Sequence, residues 1–133
     1  MKKIMAVMTL FVVIGCSTRV QLEGSWRYVE YHFTTAKYHN QKLLETTKGI
    51  VTYPTSEQQS LQLNPDGTCS GRFNGYWLLV DKTLKFKDSV ASTTSDSYTI
   101  KYLSDTQLIL ESTSAIETDS LIYETAYTHY FEH

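Results

Sequence analysis

The chain is poor in turn-formers and cysteine: its 133 residues hold two prolines, six glycines and two cysteines. No tract or internal repeat gathers them, which excludes a low-complexity organisation. Basic residues are also scarce. Setting aside Lys2 and Lys3, ten Lys and Arg face fourteen Asp and Glu, a net charge of −4, so the basic footprint of a nucleic-acid binder is absent. There is no phosphate-cradling glycine-rich loop and no nucleophile motif. Nor does any apolar run approach the ~20 residues needed to cross ~30 Å of hydrocarbon.

What is present begins at the N-terminus. Lys2 and Lys3 precede an apolar run from Ile4 to Ile14, broken only by Thr9, and Gly15 and Cys16 follow. A charged start, a short apolar segment and a small residue at the cut are the parts of a secretory signal. Val13-Ile14-Gly15-Cys16 resembles a bacterial lipobox. The resemblance implies cleavage after Gly15, a diacylglyceryl group on the Cys16 thiol and further acylation, as with palmitate, of the new amino group. At ~0.8 kcal/mol per buried methylene, two or three such chains anchor stably where one is marginal. Ser17-Thr18-Arg19 has neither the aspartate of inner-membrane retention nor an acidic surface-export run, so the expected location is the periplasmic face of an outer membrane. Lipidation would also leave Cys69 without a partner, and no neighbouring base marks it as a catalytic thiol. Cys69 reads as a small buried apolar residue.

Residues 1–15 are thus expected to be a signal peptide, 16–23 a short tether and 24–133 one domain. The domain alternates short runs rich in Tyr, Thr, Val, Ile and Leu with polar turns, the pattern of an antiparallel sandwich or barrel. Runs are expected at Ser25–Phe33, Ile50–Tyr53, Gln58–Leu63, Thr68–Phe73, Tyr76–Val80, Thr83–Lys87, Ser97–Leu103, Gln107–Thr113 and Leu121–Phe131. Asn64-Pro65-Asp66-Gly67 is the clearest turn, since proline presets one dihedral and glycine accepts a positive φ. Thr34–Lys48 is the least strand-like stretch, with room for a short helix or lid around Lys42-Leu43-Leu44. Eight or nine strands in about 118 residues suffice for an all-β sheet to close on itself. Period-two alternation places Trp26, Tyr28, Leu61, Leu63, Trp77, Leu79, Leu84, Phe86, Tyr98, Ile100, Tyr102, Leu108, Leu110, Leu121 and Tyr123 inside, and a register slip would invert any strand.

Gly24-Ser25-Trp26, Leu61-x-Leu63 before Asp66-Gly67-Thr68, Gly75-Tyr76-Trp77 and Leu103-Ser104-Asp105-Thr106-Gln107-Leu108 occur in that order. The set resembles the small lipocalin-like domains of Bacteroidota lipoproteins, which implies an up-and-down barrel with Trp26 packed across its closed end. In such barrels an arginine of the last strand often covers that tryptophan. Here the chain ends Thr128-His129-Tyr130-Phe131-Glu132-His133, so the cover is missing or is a histidine.

Ten tyrosines and two tryptophans supply apolar faces with polar tips, the make-up of a small-molecule pocket, but they could equally fill the barrel. Tyr28, Tyr98, Tyr102, Tyr123 and Tyr127 are the expected pocket liners. His32 and His129 share the inward parity with Glu30, yet these fall short of a metal's ligand set, and Glu30 has no second acid for acid/base catalysis. No metal, cofactor or catalytic residue is therefore expected. Lys82, Lys85 and Lys87 read as a solvated edge strand. Two functions remain open: a non-enzymatic anchored barrel holding a small apolar or amphipathic ligand, and a periplasmic protein-binding module of inhibitor or immunity type. The second would bind through Asp88–Asp96 or Thr113–Asp119 and meet a basic partner with its acidic balance.

Overall fold

Turn chemistry sets the topology. In the computed structural model, which describes residues 18–133, nine strands follow one another in chain order. They are β1 Gly24–His39, β2 Lys42–Thr52, β3 Ser60–Leu63, β4 Thr68–Gly71, β5 Gly75–Val80, β6 Thr83–Lys87, β7 Asp96–Leu103, β8 Gln107–Thr118 and β9 Leu121–Glu132. The expected signal peptide and Cys16 lie outside the described residues. Neighbours in sequence pair antiparallel from β3 to β9, and β1 pairs with both β3 and β9. The eight strands β1 and β3–β9 therefore close into a barrel, with β2 as an extra strand against β1. The all-β barrel expected from alternation is the fold observed.

The turn at Asn64–Gly67 forms as expected: Asn64 N–H donates to Thr68 O at 2.9 Å, and Gly67 sits at φ 89°. The stretch from Thr34 to Lys48, expected as a lid or helix, instead completes a hairpin. Asn40 and Gln41 both take positive φ, 49° and 64°, the two-residue turn whose twist matches its strands. Its weak alternation has a simple cause. β2 lies outside the barrel and residues 42–48 are exposed, so burial sorts neither face. Gly49 is the exception, covered by the ring of its cross-strand partner Phe33. Another two-residue turn, Asp119-Ser120 at φ 49° and 68°, carries β8 to Thr118, so Thr113–Asp119 is strand and turn rather than a loop.

The core sits in the lower half of the barrel. Trp26, Leu61, Leu63, Leu84, Leu108, Leu110 and Phe131 are fully buried, with Trp77, Phe86 and Cys69 beside them. Residues 18–22, expected within a tether, form a helical turn beneath this core. Leu22 is fully buried, and its carbonyl accepts the Trp26 indole N–H at 2.8 Å. Burying one leucine contributes roughly 2 kcal/mol, enough to hold so short a turn in place. The Arg19 guanidinium lies 4.3 Å over the Trp77 ring, and Gln21 donates to Asp105 at 3.1 Å. The ring of His133 stacks on Trp26 at 3.7 Å and its Nδ1 hydrogen-bonds Ser25 O at 2.6 Å, so a histidine covers the tryptophan.

Two bulges overturn parts of the inward face. One between Tyr28 and Glu30 lets Trp26 and Tyr28 point in, then turns Tyr31 and Phe33 in and Glu30 and His32 out. His32 accordingly bonds Glu30 at 2.8 Å and lies tilted against the Tyr130 ring at 4.6 Å rather than approaching His129. The other, between Ile100 and Tyr102, keeps Ile100 against the core and leaves Tyr102 exposed. An extra residue shifts every later side chain to the opposite face, which strict period-two counting cannot anticipate. The lysines are corrected too. β6 pairs on both sides, with β5 and β7, so Lys85 and Lys87 lie on the outer face of an interior strand and not on an edge.

Beyond the first bulge, β1 exchanges β3 for β2 as neighbour while keeping β9 on its other side. The β7–β8 pairing ends at Thr99–Glu111, whereas β8 and β9 stay paired to Thr118–Leu121. Four strands, in the order β2-β1-β9-β8, thus continue past the barrel as a ribbon that stands over its open end.

Candidate functional site

The open end is where aromatic side chains and hydrogen-bonding groups converge. A cavity of about 350 Å³ is lined by Tyr28, Tyr31, Tyr53, Arg72, Tyr98, Ser112, Tyr127 and His129. It shares Tyr98, Ser112 and Tyr127 with a wider cleft of about 770 Å³ that runs past β7 and the free side of β8. The second space is hydroxyl-rich, with Thr83, Ser95, Ser97, Thr99, Thr113 and Ser114 along it, and carries Asp96 and Glu111. The cleft exists because β7 and β8 part beyond Thr99 and Glu111, β7 staying with β6 to Asp96 and β8 staying with β9 to Thr118.

Its floor is an aromatic cluster that also roofs the core. The Tyr28 ring meets Phe131 edge-on at 4.7 Å and Tyr53 at 5.4 Å. Tyr98 meets His129 edge-on at 5.4 Å, and Tyr127 lies parallel to His129 at 5.8 Å. Tyr31 sits 6.0 Å from Tyr127 and 6.2 Å from Tyr53. Edge-on and offset rings are the arrangements that a ring's negative face and positive edge favour.

A hydrogen-bond chain crosses the floor. Tyr28 Oη lies 2.5 Å from His129 Nδ1, and His129 Nε2 lies 2.8 Å from Ser112 Oγ. The proton positions follow from the buried end. Tyr28 is almost wholly buried and His129 is its hydroxyl's partner, so that O–H donates to Nδ1. The neutral imidazole then carries its proton on Nε2 and donates to Ser112 Oγ, which leaves the serine's own proton for the cleft. Burial, with the Arg72 cation beside it, pushes the His129 pKa down to about 4, so the ring is neutral at pH 7. Burial raises the Tyr28 phenol well above its ordinary range, against the opposing pull of Arg72, and also raises Tyr98.

Arg72 follows β4. Its backbone N–H donates to Ser60 O at 2.8 Å, its Nη1 donates to Gln59 Oε1 at 2.9 Å, and its guanidinium lies 4.3 Å over the Tyr28 ring. Among the described residues no carboxylate is within ion-pair distance of it.

Of the expected liners, the structure brings together Tyr28, Tyr98 and Tyr127. Tyr123 shares the face of Tyr127 but stands out on the ribbon, its ring 5.8 Å from Lys37 Nζ, and Tyr102 points away through the β7 bulge. Tyr31, Tyr53, Arg72 and Ser112 were not anticipated. Ser112 continues the Leu108, Leu110 alternation and was legible from it, whereas Tyr31 is hidden by a bulge, and Tyr53 and Arg72 lie where runs end. Cys69 is a free thiol buried in β4, its pKa raised by burial. Among the described residues no group of three His, Cys, Asp or Glu is placed to hold a metal, and no helix is long and apolar enough to cross a membrane. No family model matches the chain, and neither does any curated protein or solved structure compared with it.

Proposed function

We propose that this protein is a non-enzymatic, lipocalin-like binder of a small organic ligand, held at a membrane through lipid on Cys16, with the periplasmic face of an outer membrane as its place of work. The observation that carries the reading is the convergence of Tyr28, Tyr31, Tyr53, Tyr98 and Tyr127 with Arg72, Ser112 and His129 around one cavity at the mouth. Ligand pockets commonly occupy ~300–1,000 Å³ and pair aromatic walls with a few oriented polar groups. The lower barrel is filled by leucines and Trp26, so the ligand sits at the mouth and not deep inside.

Ser112 and His129 are spaced like a nucleophile and its base, but the chain of donors runs the wrong way for that chemistry. The lone pair on Nδ1 is occupied by Tyr28 and Nε2 carries the proton, so His129 has no free site to take one from Ser112. This favours binding over hydrolysis. Attachment and location rest on the N-terminal sequence, from Lys2 through Cys16.

A thermal-shift screen of small organic compounds against the protein and a Tyr127→Ala variant tests the reading. Compounds that raise Tm in the parent and do so less in the variant are expected. A screen without hits, or hits indifferent to Tyr127, would overturn it.

The ribbon favours a second reading, a protein-binding module. Leu43, Leu44, Ile50 and Ile116 are exposed on it, and the outer edge of β2 pairs with no strand among the described residues. Recovery of one stoichiometric protein partner, lost on Leu43→Glu substitution, would favour this module over the small-ligand binder.

A further inference from the structure

The mouth also carries a charge pattern that narrows the ligand. We propose that the cavity takes a small aromatic carboxylate, its carboxylate held by Arg72 and the Ser112 hydroxyl and its ring set among the tyrosines; this rests on the small-ligand reading above.

Three observations converge on it. First, Arg72 presents five N–H donors in a planar fork, of which one is engaged with Gln59, and its guanidinium carbon lies over the Tyr28 ring in the cavity wall. With no carboxylate in ion-pair distance among the described residues, the other donors of this half-buried guanidinium can face an anion in the cavity. Second, the donor chain from Tyr28 through His129 ends on Ser112, whose own proton is left to donate to whatever occupies the cavity. Third, no acidic side chain lines the inner cavity, although the protein is acidic overall; Asp96 and Glu111 lie in the outer cleft, and Glu111 is bound by Lys101 at 3.3 Å. Arg72 is therefore the one formal charge among the side chains that line the inner cavity. It suits a ligand whose single negative charge is at its inner end, and disfavours one with a second charge at the rim.

Size and walls select the rest of the molecule. About 350 Å³ is at the low end for ligand pockets and too short for a long acyl chain, whose tail would have to lie along the hydroxyl-rich cleft. Tyr31, Tyr53, Tyr98 and Tyr127 offer ring faces and edges that match a planar aromatic body.

The test compares 2-naphthoate with its neutral isostere 2-naphthamide by isothermal titration against the intact lipoprotein in a non-ionic detergent. The acid is expected to bind at least about tenfold more tightly than the amide, as one charge-assisted contact implies. Arg72→Gln should remove that preference by weakening the acid far more than the amide, while Arg72→Lys keeps the charge and part of the preference. Ser112→Ala should weaken the acid several-fold. Circular dichroism and Tm of each variant confirm that it is folded. Equal affinity for acid and amide, or an acid indifferent to Arg72→Gln in a folded variant, overturns the carboxylate assignment and leaves the small-ligand pocket standing. Binding of neither compound at millimolar concentration, with no hit in the wider screen, overturns both.

Discussion

The two ends of the barrel are built from the same alternating strands and come to opposite results. At the lower end a helical turn, Leu22, Trp26 and His133 complete the packing, and the buried Trp26 indole N–H finds its partner in the Leu22 carbonyl. At the upper end β3 stops and β7 parts from β8, while β1, β9 and β8 continue together, so tyrosines that would otherwise meet an opposing wall face a cleft. The lesson is that strand length divides a filled core from a binding site here. Composition does not, since aromatic residues populate both ends.

The comparison can be broken first at the filled end. Trp26→Ala should cost about 3–5 kcal/mol, read as a shift of the urea midpoint at unchanged slope. A loss under about 1 kcal/mol would mean that the closed end is not packed as described. Leu22→Ala should cost about 2–4 kcal/mol, far more than a residue of a free tether would, and the same unfolding curve reports it.

At the mouth, acid should expose the buried histidine. The unfolded chain protonates His129 near its ordinary pKa, about 6.5, whereas the folded ring holds out to about 4. The neutral form's advantage is complete above about pH 6.5 and is lost as the pH falls toward 4, because there the unfolded state binds the extra proton. The loss should be about 2 kcal/mol, an amount already reduced for the water that reaches the ring from the cleft. Tm measured from pH 7 to pH 4.5 should fall more steeply in the parent than in a His129→Gln variant, and parallel slopes would contradict the assigned neutral ring. Smallest of all, Ile116→Ala on the ribbon should change stability by less than about 0.5 kcal/mol, since that side chain is exposed. A larger loss in urea titration would show that the ribbon is part of the cooperative core.

Much of the barrel was legible from sequence. The inward leucines Leu61, Leu63, Leu84, Leu108 and Leu110, the turn at Asn64–Gly67 and the position of Trp26 all follow from two-residue periodicity and turn chemistry, which act over a few residues. The site was only partly legible. Tyr28 and Tyr98 precede the bulges in their strands and kept their predicted faces, and Tyr127 lies in an unbroken strand. Tyr102 lies after a bulge and lost its predicted face, and Tyr31 gained an inward one for the same reason.

Alternation, turn residues and the Lys2-to-Cys16 pattern are local, so the sequence alone determined an all-β domain, most of its hairpins from β3 onward and an expectation of lipid attachment. The meeting of Arg72, Ser112, His129 and Tyr28 was decided only by the closed sheet. Those residues come from β1, β8, β9 and the end of β4, and are as much as 101 positions apart. Bulges and unequal strand lengths, which arise from pairing with other strands, set which of them share a face.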